Sequence, residues 1–234
     1  MSAWKVVAEA IAAHSGTAFD PTPPVALSGG CINTAFRLSD GGQSWFVKTN
    51  HADRLAMFEA EAAGLNALAE TGTIRVPRAL CCGAADGIAF IVIAFVELGR
   101  GSRAGWRDAG QQLAALHTHR AERFGWRRDN TIGATPQHND WHTDWIEFWR
   151  DRRLGFQLEL AANKGYGGRL QTLGDRLMAR FPVLIDHAPM PSLLHGDLWS
   201  GNLAFGRDGA PLIYDPAVYY GDREADLAMT ELFG

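Results

Sequence analysis

The order of apolar and polar positions divides the chain into a strand-rich front part and a helix-rich back part. In the front part, apolar side chains recur at helical spacing over residues 3–14 and 53–70, and Asp53 is the predicted N-cap of the second helix. Shorter apolar runs bounded by turn residues predict strands at residues 25–27, 34–38, 44–49 and 89–96.

Helical spacing dominates after residue 98. It predicts helices over residues 105–119, 140–163 and 168–180, followed by a short hairpin over residues 203–214. Residues 99–102, rich in glycine, suit a hinge. We therefore expect an α+β fold of two lobes, with a small antiparallel-sheet N-lobe over residues 1–98 and a mainly helical C-lobe over residues 99–234.

Composition limits the classes of function. The chain has 234 residues, 47% of them hydrophobic, which suffices for one large domain or for two small ones that share a cleft. A net charge of −4 without a basic run argues against nucleic acid as a partner. No apolar run is long enough to span a bilayer, and the N-terminus lacks the pattern of a secretory signal. The odd set Cys31, Cys81 and Cys82 favours a reducing, cytoplasmic location.

The segment that contains His195, Asp197 and Asn202, followed by Asp215, carries the strongest chemical signal. Its spacing matches the kinase pattern H-R-D-x-x-x-x-N followed by D-F-G. In that pattern the first Asp accepts the proton of the attacking hydroxyl, and the Asn and the second Asp hold Mg²⁺. We predict these roles for Asp197, Asn202 and Asp215. The alternative explanation is a polar loop followed by an Asp-Pro turn.

Lys48 ends a strand-like run that resembles the V-A-I-K strand of kinases, where the Lys binds the α/β-phosphates and pairs with a Glu of the next helix. An exposed strand Lys is the alternative. Glu59 and Glu61 lie on different sides of the predicted helix, so only one can face Lys48. We choose Glu61 and keep Glu59 as its competitor.

A glycine-containing loop precedes that strand. Ser28, Gly29, Gly30 and Asn33 form the pattern S-G-G-x-x-N between two predicted strands. Backbone N–H groups in such a turn can cover phosphates, and glycine allows close approach. An ordinary hairpin turn would have the same composition.

Other features refine the kinase prediction. Gly196 stands where many protein kinases have an Arg, and no A-P-E follows Asp215, so a protein Ser/Thr kinase is disfavoured. We expect His195 to be structural and Asp226 to brace the catalytic loop. Tryptophans recur at i, i+4 and i+8 and predict one helix face packed in a core, or alternatively a wall of a sugar site: Trp141, Trp145 and Trp149.

The chain resembles the fructosamine/ketosamine kinase family, which belongs to the fold group of aminoglycoside phosphotransferases and choline kinases and has a protein-kinase-like fold. The resemblance extends over nearly the whole chain. The segments that carry it are residues 28–33, 57–62, 129–133, 136–137, 194–202 and 214–234.

The resemblance implies that the chain transfers the γ-phosphate of ATP to the O3 hydroxyl of a ketosamine, such as fructosyl- or ribulosyl-lysine, free or on a protein. It implies that adenine bonds the backbone near Ala94 and Val96, and that Asn130, Thr131 and Gln137 lie on the substrate side. The remaining roles are those predicted above, with Mg²⁺ on Asn202 and Asp215 and the loop from Ser28 over the phosphates.

Two further expectations follow from the resemblance. Cys31 matches a cysteine that links subunits in some relatives, so we expect either a monomer or a redox-sensitive homodimer through Cys31. Family members usually continue past the point where this chain ends, so the helical lobe is expected to be truncated.

Two functions are the alternatives to a ketosamine kinase. The first is a kinase of another small alcohol, an aminoglycoside or a choline-like amine, and the second is a nucleotide-binding remnant without catalysis.

Overall fold

The computed structural model of the chain describes residues 3–28 and 32–232. Within these residues, a five-stranded antiparallel sheet of order β1-β2-β3-β5-β4 forms the front part. Its strands are β1 (Val25–Leu27), β2 (Thr34–Ser39), β3 (Ser44–His51), β4 (Ala79–Ala85) and β5 (Ile88–Ala94).

Two helices, α1 (Ala3–Ser15) and α2 (Leu55–Glu70), cover opposite faces of the sheet. Successive strand residues point to opposite faces, so Val92 of β5 packs with α1 while Ile91 packs with α2. Both faces are therefore buried, which explains why β5 reads as a continuous apolar run. The same alternation places Lys48 of β3 on the face opposite Val47, which belongs to the α1 side.

Two details of the front part differ from the sequence prediction. The predicted N-cap Asp53 is wrong, because Asp53 lies in a 3₁₀ turn (Ala52–Arg54) and α2 begins after it without a side-chain cap. Strand β4 was not predicted. It contains Ala, Cys and Gly and few β-branched residues, so its strand conformation comes from pairing with β5 rather than from propensity.

The back part begins with α3 (Arg103–Leu116), which Ser102 caps through a 3.0 Å hydrogen bond from Gly105 N to Ser102 Oγ. Later helices are α4 (Trp145–Trp149), α5 (Phe156–Asn163), α6 (Arg169–Arg180) and α7 (Glu224–Leu232), with a π-helical turn (Arg150–Gly155) between α4 and α5.

The helix predicted over residues 140–163 is thus a composite with a later start. Asp144 sets the start, because its Oδ1 accepts a 2.8 Å hydrogen bond from Glu147 N. Trp141 consequently precedes the helix, and the prediction that it shares a helix face with Trp145 and Trp149 is wrong.

Three short ribbons complete the back part. The predicted hairpin is present as β9 (Leu203–Phe205) and β10 (Pro211–Ile213). The other two were not predicted: β6 (Asn130–Ile132) pairs with β7 (Thr135–Gln137), and β8 (Ser192–Leu194) pairs with β11 (Tyr219–Gly221). The α+β class is confirmed. In the part of the chain described, no helix combines the length and apolarity of a membrane span.

Candidate active site

The ribbon of β8 and β11 brings together the two loops that carry the predicted catalytic residues. Asp226 of α7 holds the first loop, because its carboxylate accepts hydrogen bonds from His195 N at 2.8 Å and from Gly196 N at 2.9 Å. His117, which follows the last residue of α3, donates through Nε2 to the same carboxylate at 3.0 Å. The expected bracing role of Asp226 is confirmed, and His117 is a partner that the sequence did not reveal.

His195 is fully buried and ties the two loops together. Its Nε2 donates to Tyr214 O at 2.9 Å, and its Nδ1 accepts from Asp197 N at 3.3 Å. Burial lowers the pKa of His195, so the neutral ring is favoured at physiological pH. The ring therefore acts as a structural link, as expected.

Gly196 is required by its surroundings. Its φ is +82°, and a Cβ at this position would collide with the carbonyl oxygen of Ala217. A side chain such as the Arg of many protein kinases cannot be placed here, which gives a physical reason for the departure from H-R-D.

Asp197 and Asn202 are in direct contact. Asn202 Nδ2 donates to Asp197 Oδ2 at 3.1 Å and to Asp197 O at 2.8 Å. Burial raises the pKa of the Asp197 carboxyl above its usual range, although the hydrogen bond from Asn202 opposes that shift. A carboxylate with a raised pKa is a better proton acceptor, which suits a general base.

Asp215, Lys48 and Glu61 form a charge cluster, in which Lys48 and Glu61 are largely buried and Asp215 is exposed. Lys48 Nζ donates to Glu61 Oε1 at 2.7 Å and also bonds Asp215 Oδ1. Lys48 is 7% exposed, and burial alone would lower the pKa of its amine. The two carboxylates outweigh that effect and raise the pKa, so Lys48 carries its charge throughout the physiological range.

The competitor Glu59 lies elsewhere. Arg128 Nη1 donates to Glu59 O at 3.2 Å and Nη2 to Glu59 Oε2 at 3.5 Å. Glu59 is an exposed residue of α2, whereas the side chain of Glu61 is 11% exposed. The structure therefore pairs Lys48 with Glu61.

The β6–β7 hairpin supports the loop that follows Asp215. Asn130 Nδ2 donates to Val218 O at 2.8 Å, and Gln137 Nε2 donates to Ala217 O at 3.0 Å and to Asn130 Oδ1 at 2.7 Å. Both amides are buried. Their amide nitrogens hold the backbone of the loop after Asp215, and the expectation that Asn130, Thr131 and Gln137 lie on the substrate side stays a prediction. Nothing in the local sequence could have revealed this pairing.

The nucleotide side is described in part. Gly29, Gly30 and Cys31 lie outside the described residues. Ser28 is exposed at the end of β1, and Asn33 Oδ1 accepts a 2.7 Å hydrogen bond from Asn50 Nδ2 of β3.

The two residues expected near adenine lie at the end of the sheet. Ala94 is the last residue of β5, and its N–H donates to Arg78 O at 3.0 Å. This bond already engages the N–H of Ala94. Val96 lies past the strand and is half-buried.

Known proteins resemble this chain in sequence and in fold. A relative described as a probable ketoamine kinase, from a Synechocystis strain, is 47% identical over 99% of this chain and 78% of its own length. A chloroplastic protein-ribulosamine 3-kinase of Arabidopsis thaliana is 43% identical over 92% of this chain and 67% of its own.

Solved structures agree. A putative fructosamine-3-kinase of Haemophilus somnus matches with a TM-score of 0.90 and 30% identity, over 98% of this chain and 77% of that one. An aminoglycoside phosphotransferase in complex with ADP and hygromycin B matches with a TM-score of 0.65 at 14% identity, over 98% of this chain and 76% of that one, which shows the fold alone. The predicted kinase-like fold is confirmed. A family profile described as fructosamine kinase matches residues 3–234, and the chain belongs to the fructosamine kinase family.

Proposed function

We propose that the chain is an ATP-dependent ketosamine kinase, which phosphorylates the O3 hydroxyl of fructosamine or ribulosamine adducts and so serves the repair of glycated amines. The names of its relatives and the kinase arrangement of its loops support this. The observation that carries the proposal is the contact of Lys48 with both Glu61 and Asp215. This contact places Lys48, which corresponds to the phosphate-binding Lys of kinases, next to the carboxylate of Asp215, the proposed metal ligand.

In this proposal Asp197 orients the sugar hydroxyl and takes its proton, while Lys48 holds the α/β-phosphates. Phosphoryl transfer needs little more from the protein than position and charge. The loop of Ser28, Gly29, Gly30 and Asn33 covers the phosphates.

Backbone groups bind the adenine. The carbonyl of Ala94 and the backbone of Val96 are the proposed partners, since the N–H of Ala94 is already engaged. The nucleotide lies between an N-lobe of residues 1–98 and a C-lobe of residues 99–234.

The residues at the metal position fit Mg²⁺. No described residue donates a hydrogen bond to Asn202 Oδ1 or Asp215 Oδ2, and both are hard oxygen donors of the kind that Mg²⁺ takes. Asn202 keeps its amide nitrogen on Asp197, which leaves the carbonyl oxygen for the ion. When bound, Mg²⁺ neutralises charge on the phosphate oxygens.

We also propose a cytoplasmic location and either a monomer or a redox-sensitive homodimer through Cys31. Cys81 and Cys82 are free thiols, in keeping with a reducing compartment. The dimer rests on the resemblance at Cys31. A non-reducing gel after peroxide treatment should show a dimer that Cys31→Ser abolishes, and a monomer from the unsubstituted chain would contradict this.

A substrate screen tests the function. The chain should phosphorylate fructosyl-lysine or ribulosyl-lysine with Mg·ATP and leave choline and aminoglycosides unchanged. Turnover on choline or an aminoglycoside alone would favour the first alternative. Thermal stabilisation by Mg·ATP without turnover on any acceptor would favour the nucleotide-binding remnant.

A further inference from the structure

Two adjoining cavities lie between the β6–β7 hairpin and the helical segment from α4 to α5. The first, of about 290 Å³, has mainly apolar walls that include Ile132, Pro136 and Trp149. The second, of about 420 Å³, has polar walls that include Asp151, Glu159 and Asn163. Arg152 and Phe156 line both cavities, so the two lie side by side, and we call them together the cleft.

The apolar cavity borders the loop that follows the metal-site carboxylate. Gln137 forms part of its wall, and the amide of Gln137 bonds the carbonyl of Ala217, two positions after Asp215. The turn of the β6–β7 hairpin lies close to Ile32, in the loop that is predicted to cover the phosphates. A Cβ added at Gly133 would lie 3.1 Å from Ile32 Cδ1. The apolar cavity therefore adjoins the hairpin that supports the loop after Asp215.

The π-helical turn shapes the junction of the two cavities. Such turns are rare and occur frequently at functional sites. Here the turn carries Arg152, whose Nε lies 3.2 Å from Asp140 Oδ2 without forming a hydrogen bond. No described residue accepts a hydrogen bond from its terminal Nη atoms, so the guanidinium keeps donors for a ligand.

The second, polar cavity also has negatively charged side chains in its wall. Glu159 lines it and forms no ion pair with any described residue, while Asp151 is engaged by Arg150 through a 2.8 Å contact. A guanidinium with unbonded Nη donors and a carboxylate without an ion-pair partner line this cavity together with Phe156, and the two charges suit a zwitterion.

We propose that this cleft is a carrier subsite for free ketosyl-lysine, with Arg152 binding the α-carboxylate and Glu159 the α-ammonium of the lysine. The inference rests on the proposed function. With the ketose at Asp197, the four-carbon stem of lysine runs along the apolar cavity and its α-groups reach the polar one. A lysine inside a protein has no free α-groups, so it gains none of these contacts.

The test compares two acceptors that share the ketose. Fructosyl-lysine carries the α-groups, and fructosyl-propylamine lacks them. We expect Arg152→Gln and Glu159→Gln each to raise the KM for fructosyl-lysine roughly tenfold or more, which is the usual contribution of a hydrogen bond to a charged group. Both variants should leave the kcat and the KM for fructosyl-propylamine unchanged. Arg176→Gln, an exposed arginine of α6, is the matched control and should change neither acceptor.

Equal changes for both acceptors, or none for either, would overturn the subsite. A second measurement needs no variant: the unsubstituted enzyme should prefer fructosyl-lysine over its Nα-acetyl, C-amide form by at least roughly tenfold in kcat/KM. Equal kcat/KM values would also overturn it. Failure of the function itself is recognisable, because the unsubstituted chain would then phosphorylate none of the three.

Discussion

Replacement of Asp197 by Asn separates catalysis from stability in this site. The amide has the size of the carboxyl and can still accept the bond from Asn202 Nδ2, which is 3.1 Å long in the structure. It cannot accept a proton. We therefore expect kcat to fall by on the order of 10²–10⁴, the usual contribution of a general base, or about 2.7–5.4 kcal/mol in activation free energy.

The same change should not weaken the fold. Burial raises the pKa of Asp197 above its ordinary value of 3.8, which means that folding disfavours the charged carboxylate. A raised pKa in the folded state adds stability below the unfolded pKa, and this contribution is lost as the pH rises through the folded pKa. At neutral pH the Asn variant should therefore unfold at the same temperature as the unsubstituted chain or higher, and the difference should shrink towards acid.

The assay pairs single-turnover phosphorylation of a ketosamine with thermal unfolding from acid to neutral pH. Asp20→Asn, at an exposed position, is the control and should change neither quantity. Near-normal turnover by Asp197→Asn would refute the assignment of the base. A large fall in melting temperature at neutral pH would refute the argument from burial.

Three further substitutions test the surroundings of the site. Lys48→Met leaves the carboxylate of Glu61 buried without its partner, so the free energy of unfolding in urea should fall by about 3–5 kcal/mol and the KM for ATP should rise. Gln137→Leu leaves a buried carbonyl unpaired, so we expect a loss of about 1–3 kcal/mol in urea unfolding, and a magnesium titration of activity should show a higher half-saturating concentration than before. Gly196→Ala should prevent accumulation of folded protein, because the new Cβ collides with the carbonyl oxygen of Ala217. The control Gly209→Ala, at a positive φ in open space, should lower the free energy of unfolding by only about 1–2 kcal/mol. Circular dichroism with thermal melts compares the two variants, and similar melting curves would contradict the prediction.

Elements with a local signal could be predicted from the sequence. The spacing of Asp197, Asn202 and Asp215 indicated a phosphotransfer site, and a short apolar run bounded by turn residues identified the strand of Lys48. Helix periodicity narrowed its partner to Glu59 or Glu61, but only the packing of α2 against the sheet shows which one contacts Lys48. The sequence thus indicated which charged residues form the site, but it did not show which of them contact one another.

Elements that depend on distant partners could not be predicted. Strand β4 has weak propensity and exists because β5 lies beside it. The ribbon of β8 with β11 joins segments far apart in the chain, and neither has a turn signal to reveal it. The π-helical turn interrupts a sequence whose apolar spacing reads as one continuous helix, because that spacing does not distinguish α from π turns.

The conformation of Asp215 shows why these distant contacts matter for the chemistry. Its φ is +57°, a left-handed conformation that costs a non-glycine residue about 1–2 kcal/mol. Such a residue persists only where its surroundings over-determine it. Here Lys48 holds the side chain, Ala217 N bonds His195 O at 2.9 Å, and Gln137 bonds Ala217 O. Each contact comes from a different part of the chain, so the motif supplies the ligand and the remainder of the fold supplies the conformation in which that ligand can work.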